Sequence, residues 1–357
     1  MAKGKKKSAK TPLLIVVLVL MILILAGLCV FYFGLKHYLG KMNYVDDNDV
    51  TINYDLLTAS DDEVEGFTEL ETLDADVESA FAKELKAGED IDIASDGDVY
   101  NILLIGSDTR NGWYGNSDSM ILVSINSKKK TIYMTSFMRD LYANIPNVGI
   151  RKLNSAYAVG GGPLLVSTIE DNYRITIDNY ASVDFSSMAD IIDLVGGVDL
   201  EVSTQEAGYI NMYLDEQCAL QGLNASDYYV TGGGMTHLNG NQAVGFARIR
   251  YTSRGDEHSD YGRTSRQREI LVQLIQKARS QDAATLLEVV NNMLPLITHN
   301  IDTSTLTSLI ANAASYINYD IQTDRIPYDG LYSNLGEELV PDFEATITRL
   351  HQTIYGD

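Results

Sequence analysis

Positive charge is short in this 357-residue sequence. It sets 27 Lys and Arg against 49 Asp and Glu, a formal net charge of -22. Gripping a nucleic-acid backbone requires a broad basic face, so this balance excludes a general nucleic-acid binder. Cysteine is scarcer still. Cys29 and Cys218 are the only two, too few for a disulfide framework or a zinc site, and Cys218 reads as a small buried apolar residue. His37, His237, His258, His299 and His351 are scattered, with no Ser-His-Asp layout. A G-x-x-x-x-G-K-[ST] loop and a G-x-S-x-G elbow are both missing, which removes the two commonest phosphate and acyl-transfer signatures. No internal repeat or low-complexity tract interrupts the chain after residue 98.

A hydrophobic content of 45% is that of a globular chain with a sizeable core. The N-terminus adds a lysine-rich tail, "MAKGKKKSAK", and then "PLLIVVLVLMILILAGLCVFYFG", an uncharged run over residues 12–34. About 20 such residues cross the hydrocarbon core of a bilayer. A cleaved signal peptide is the rival reading, but it has a shorter apolar region and a small-residue cleavage site, and none is clean here. Cys29 is a poor lipidation site, because bulky Leu28 precedes it. Lysines before the span place the tail inside and the remainder outside, by the positive-inside rule. The expected organisation is a cytoplasmic tail over 1–11, a transmembrane helix over 12–35, an acidic stalk with some helix near residues 76–86 over 36–98, and a folded domain over 99–357.

Within that domain, apolar runs alternate between strand and helix spacing. "NILLIGSD" predicts a buried strand ending in polar residues, and "SMILVSINSKKKTIYMTSFMRD" two strands around a polar turn. "GGPLLVSTIEDNYR" predicts a helix entered through glycines, "DNYASVDF" a strand, "SSMADIIDLVGG" a glycine-capped helix and "GVDLEV" another strand. "NGNQAVGFARIR" and "TSRQREILVQLIQKARS" predict helices, as do two later segments. A last strand is expected near residues 321–326. Such alternation predicts an α/β sheet with helices on its faces.

Two constellations carry chemistry. "RIRYTSRGDEHSDYGRTSRQRE", residues 248–269, holds six arginines and no lysine. A guanidinium fork suits phosphate oxygens, whereas interspersed acids would equally make a charge-balanced surface. Thr264 as N-cap with Gln267 three residues on would put Arg263 and Arg266 at the positive end of a helix, where an anion between them would relieve the conflict. "GSDTRNGWYGNSDSM" carries Asp108 after one strand and Asp118 before the next. Paired oxygen ligands at strand ends suit Mg²⁺, although turn aspartates more often satisfy backbone donors. "FMRDLY" adds Arg139 and Asp140, and "RKLNSAYAVGGG" adds Arg151, Lys152 and Asn154.

In order, "NILLIGSDTR", "SDSMILVSIN", "FMRD", "KLNSAYAVGG", "HLNGNQAVGFARIR" and "GRTSRQRE" resemble the LytR-CpsA-Psr family, over roughly residues 99–279. The resemblance implies an α/β core, a mixed central sheet flanked by helices, that binds a polyprenyl pyrophosphate-linked glycan with its lipid in a hydrophobic pocket. It implies a phosphotransferase that attaches glycopolymer to peptidoglycan at the outer membrane face. Carried over by position, Asp108 and Asp118 are the Mg²⁺ (or Mn²⁺) aspartates. Arg110, Arg139, Arg248, Arg250, Arg263 and Arg266 are pyrophosphate contacts, with Gln267 beside them. Asp140 or a metal-linked aspartate would take the acceptor's proton. The sequence departs from the family pattern at Asn116, where an arginine is usual, and at Phe137–Met138, where Ile-Pro is usual. Arg254 and Arg268 match less clearly and are expected at the surface. A lipid pyrophosphatase and a non-catalytic regulator that binds lipid-linked glycans are the alternatives.

Overall fold

The computed structural model describes residues 43–57, 74–107, 115–255, 259–335 and 338–356. The expected span over residues 12–35 lies outside them, and no helix among the described residues is long and apolar enough to cross a membrane. In chain order the strands are β1 (Asn43–Tyr44), β2 (Val99–Ser107), β3 (Ser117–Asn126), β4 (Thr131–Phe137), β5 (Tyr142–Ile145), β6 (Gly149–Lys152), β7 (Asn179–Asp184), β8 (Val198–Val202), β9 (Gly234–Leu238), β10 (Thr298–His299), β11 (Asp320–Ile326), β12 (Tyr332–Leu335) and β13 (Glu338–Pro341). The helices are α1 (Ala75–Glu89), α2 (Ser155–Tyr173), α3 (Phe185–Leu194), α4 (Thr204–Gln221), α5 (Gly240–Arg248), α6 (Ser259–Ser280), α7 (Ala283–Met293), α8 (Thr303–Tyr316) and α9 (Phe343–Tyr355).

A seven-stranded mixed sheet in the order β1-β10-β7-β2-β3-β4-β11 forms the centre. Its strands read as they do because both faces are covered. Along β2, Val99, Leu103 and Ile105 are buried on one face, and the residues between them are partly buried on the other. The first face packs on α2, α9 and α1 through Leu165, Ile169, Tyr173, Phe343, Ile347 and Phe81. On the second face, Ile121, Val123, Ile132 and Met134 meet Leu271, Val272 and Ile275 of α6. A further core joins α3, α4, α5 and the antiparallel β8–β9 pair, and Ile270 and Leu274 of α6 belong to it. Helix α6 is therefore a wall shared by two cores.

Two expectations are corrected and one is refined. Residues 36–98 are not simply a stalk: β1 pairs with β10, Leu56 is buried, and α1 docks Phe81 edge-on against Phe343 at 5.3 Å. Acidic composition conceals an apolar stripe at Val77, Phe81, Leu85 and Gly88, the spacing of one helix face. The glycines of "AVGGG" form a kink at Gly160 and Gly161 between two helical segments of α2, so the segment after them is entered through glycines as expected, while a further helical segment from Ser155 precedes them. Gly161 sits at φ 60°, ψ -157°, a conformation only glycine adopts readily, and the helix breaks there. Helix α6 starts at Ser259, so Thr264 is not its cap; the Thr264 hydroxyl donates back to the Tyr261 carbonyl at 2.9 Å. The glycines after α3 behave as expected, both at positive φ past the last turn.

Candidate anion pocket at the sheet edge

Strand register builds the first half of the site. Met120 of β3 pairs with Phe137 of β4, and continuing that register sets Asp118 opposite Arg139. Arg139 Nη1 donates to Asp118 Oδ1 at 2.7 Å. The Arg139 and Asn154 backbones are linked, and Asn154 in turn accepts from Ser117, so the "KLN" segment braces both strand ends. On the other side, Ser107 of β2 pairs with Ser117, which brings the last residue before Asp108 beside the residue before Asp118. Asp108 and Arg110 themselves lie outside the described residues.

Helices supply the second half. Arg263 of α6 donates to Asp118 Oδ1 at 3.3 Å and to the Asp260 carboxylate one turn earlier at 3.0 Å. Its side chain is only 3% exposed, and its Nε has no hydrogen-bond partner among the described residues. Gln267, one turn on, reaches the Asp118 carbonyl at 3.4 Å. Arg250, just past α5, stands 3.6 Å from Asp118 and 3.7 Å from Asp260 and makes no side-chain hydrogen bond among the described residues. Arg248 closes the far wall, bonded to Glu216 at 3.0 Å and stacked on Phe185 and Tyr213. Together with Tyr251 these residues line a pocket of about 240 Å³. Asp140 borders it through its pair with Arg139 at 3.4 Å.

The electrostatics follow from that crowding. Burial pushes the Asp118 carboxyl up, but Arg263, Arg139 and Arg250 more than offset this and hold it below its ordinary value. Burial, with the repulsion of Arg263 and Arg139, lowers Arg250 despite Asp260 and Asp118. Arg250 is thus a cation with donors to spare and like charges beside it, and an incoming oxyanion would satisfy both. A carboxylate held down as Asp118 is contributes stability above its unfolded pKa and loses it as pH falls through its lower folded value. The Tm gap between wild type and Asp118→Asn should therefore stay constant from about pH 7 to about pH 5 and narrow below about pH 4. Narrowing already between those two higher values would show a carboxyl that is not held down.

Arg266 does not join the pocket. It is fully buried, with Nε on Glu206 at 2.9 Å, Nη1 on the Ile249 carbonyl at 3.2 Å and Nη2 on the carbonyls of Thr252 and Ser253 at 3.1 and 3.0 Å. Four protein acceptors use four of its five donors. Its neighbour Arg254, expected at the surface, pairs with Glu269 through two bonds and with the Glu201 carbonyl at 2.8 Å. Arg266 and Arg254 strap down residues 249–255, the segment that carries Arg250. Asp260, Glu216, Phe185 and Tyr213 were not anticipated. Asp260 carried a signal in its i, i+3 spacing from Arg263; the other three carried none.

Hard oxygen donors suit a divalent cation. Both guanidinium hydrogen bonds to the Asp118 carboxylate fall on Oδ1, and Oδ2 accepts none among the described residues. Within the described residues no group of three or more His, Cys, Asp or Glu is placed to hold a metal.

Fold and pocket define a mixed α/β protein with an arginine-walled pocket around Asp118 at one end of the β3 and β4 strands. The chain belongs to the LytR_cpsA_psr family, whose model matches residues 66–348. Among its relatives is the polyisoprenyl-teichoic acid–peptidoglycan teichoic acid transferase TagU of Oceanobacillus iheyensis, 33% identical over 61% of this chain and 63% of that protein. Another is the biofilm regulatory protein A of Streptococcus mutans, 31% identical over 57% of this chain and 50% of that protein. The matches thus span less than two thirds of these relatives' length. Bacillus subtilis TagV is a structural neighbour with TM-score 0.54 and 26% identity, covering 73% of this chain and 98% of its own. A second is YwtF (TagT) with bound octaprenyl pyrophosphate lipid, TM-score 0.52 and 23% identity over 73% of this chain and 93% of that one. The expected mixed sheet flanked by helices is the fold these structures share.

Proposed function

We propose that the chain transfers a glycopolymer from a polyprenyl pyrophosphate carrier to a peptidoglycan hydroxyl at the outer face of the membrane. The observation that carries this reading is the convergence of Arg139, Arg250 and Arg263 on Asp118 in one pocket with Arg248 opposite. The names of the relatives support it, as does the lipid in one structural neighbour. The hydroxyl oxygen would attack the sugar-linked phosphorus, the bond to the bridging oxygen would break, and polyprenyl phosphate would leave. Such transfer is chiefly positioning and neutralisation of charge. Arg139, Arg250 and Arg263 would hold the equatorial and bridging oxygens, and Gln267 would fix the helix against Asp118. Asp118, held ionised among arginines, is a poor proton acceptor, so Asp140, 40% exposed beside Arg139, is the base we assign. Mg²⁺, or Mn²⁺, would be held by Asp118 with Asp108 and would neutralise charge on the phosphates. The span over residues 12–35 would keep the pocket near the lipid carrier, and the prenyl tail would lie in an apolar pocket.

The streptococcal relative's name keeps a regulatory reading in view. Full-length protein in vesicles, given a polyprenyl pyrophosphate-linked glycan and uncrosslinked peptidoglycan, separates the possibilities. Transfer yields polyprenyl monophosphate and glycan on peptidoglycan one for one. Monophosphate without linked glycan would identify a pyrophosphatase, and neither product would identify a binder.

A further inference from the structure

On the face of α6 away from the first pocket lies a second one of about 290 Å³, lined by Ser265, Arg268, Thr323, Asp324, Arg325, Asp329 and Arg349. Ser265 and Arg268 point opposite to Arg263 and Gln267 on the helical wheel, so only the thickness of one helix, about 10 Å, separates the pockets. The sheet places them on the same edge. β11 runs parallel to β4, with Ile326 opposite Phe137, so Arg325 and Arg139 both lie where these strands end.

Its three guanidiniums come from three elements: Arg268 from α6, Arg325 from β11 and Arg349 from α9. Two are braced by aromatic rings. Arg325 lies 4.1 Å over the Tyr261 ring and Arg349 4.0 Å over the Tyr328 ring. Stacking fixes a guanidinium plane; Arg325 spends Nη1 on the Pro327 carbonyl, so the half-exposed Arg349 offers the more open donor edge. Their carboxylate partners are weakly held. Arg325 pairs with Asp329, whose side chain is 83% exposed, and Arg349 with Asp324 in a pair exposed on both sides. The Arg349–Asp324 pair, exposed on both sides, is worth little and yields to a better anion, and the exposed Asp329 is free to swing away from Arg325. Arginines and the Ser265 and Thr323 hydroxyls converge from several directions, which suits the tetrahedral oxygens of a phosphate ester better than a planar carboxylate.

We infer that this second pocket binds a phosphate ester group of a polyanionic chain whose reacting end occupies the first pocket. That the chain is the glycopolymer being transferred rests on the transferase reading; the phosphate site itself does not.

Binding is measured with a glycerol-phosphate oligomer by calorimetry on the full-length protein in detergent. Arg349→Gln, at a half-exposed position that leaves the fold intact, should weaken it about tenfold, and Ser265→Asp should do the same by adding negative charge. A polyuronate of equal length should bind at least tenfold more weakly. Lys128→Ala, exposed in the β3–β4 turn at the other end of the strands from both pockets, should bind the oligomer normally. In transfer, Arg349→Gln should raise KM about tenfold, with kcat unchanged, for a donor bearing the phosphate polymer. It should change neither constant for a donor bearing only a neutral linkage sugar. Normal oligomer binding by Arg349→Gln and Ser265→Asp would overturn the site, as would an equal loss in Lys128→Ala. Equal affinity for the polyuronate would overturn the phosphate assignment. Damage to both donors alike would show that the pocket serves the fold. Oligomer binding without any transfer would leave this site standing and remove the transferase reading.

Discussion

Arg250→Ala should lose about a hundredfold to a thousandfold in transfer rate, with Tm almost unchanged. The rate figure is that of one donor aimed at developing charge in a shielded site. The stability figure follows from what Arg250 does in the folded chain. Its side chain is 31% exposed, its nearest carboxylates are 3.6 and 3.7 Å away, and Arg263 and Arg139 repel it. Little is lost, and some repulsion is relieved, when it is removed. Arg250→Lys should recover only part of the rate, because an ammonium keeps the charge and loses the fork. Rates of both variants on the polyprenyl pyrophosphate-linked glycan, with melting curves alongside, test this. Turnover near wild type in Arg250→Ala would end the clamp, and a large drop in Tm would move the residue from chemistry to structure.

Arg266→Ala should do the reverse, damaging the fold first. It strips the closer of two arginine partners from Glu206, leaving Arg254 at 3.5 Å; burial pushes that carboxyl up, and bonds from Ser203 and Arg266 bring it below the usual range. It also leaves the carbonyls of Ile249, Thr252 and Ser253 without their donor. Breaking a buried pair in this way costs about 3–5 kcal/mol, or a fall in Tm on the order of 10 °C for a domain of this size. The same substitution in a Glu206→Gln background should cost distinctly less, since no buried carboxylate is then left to the longer Arg254 contact alone. An unchanged Tm in Arg266→Ala would refute the structural role and return Arg266 to the list of anion contacts.

The contrast between these two arginines shows how far local pattern reaches. Arg263 and Arg266 are i, i+3 neighbours, and their spacing alone groups them. In the structure Arg263 reaches Asp118, while Arg266 is consumed by Glu206 and three carbonyls of the segment after α5. The alternation in β2, β3 and β4 was legible because burial repeats every second residue along a strand, and the ends of α3 and α6 differed in outcome because glycine at positive φ is a local signal whereas a threonine cap is not unique to helix starts. Helix α1 was legible near residues 76–86, but its docking onto the domain was not, because four apolar positions are few among so many acids. β12, β13 and α9 after the expected last strand went unread as well, although α9 supplies both Phe343 to the core and Arg349 to the second pocket.

By itself the sequence determined the acidity that excludes nucleic acid, the order of motifs that marks the family, and the residue types that suit an oxyanion. Only the tertiary structure decided which of those residues share a pocket. Asp118 and Arg139 meet because an antiparallel register carries them to one edge, and Arg263 joins them because α6 crosses that edge with one particular face turned inward. Periodicity fixes the face a side chain occupies on its own element, and packing between distant elements fixes which acceptors stand opposite that face. For a guanidinium the difference decides everything, since a donor fork already filled by buried carbonyls has little left to offer a phosphate.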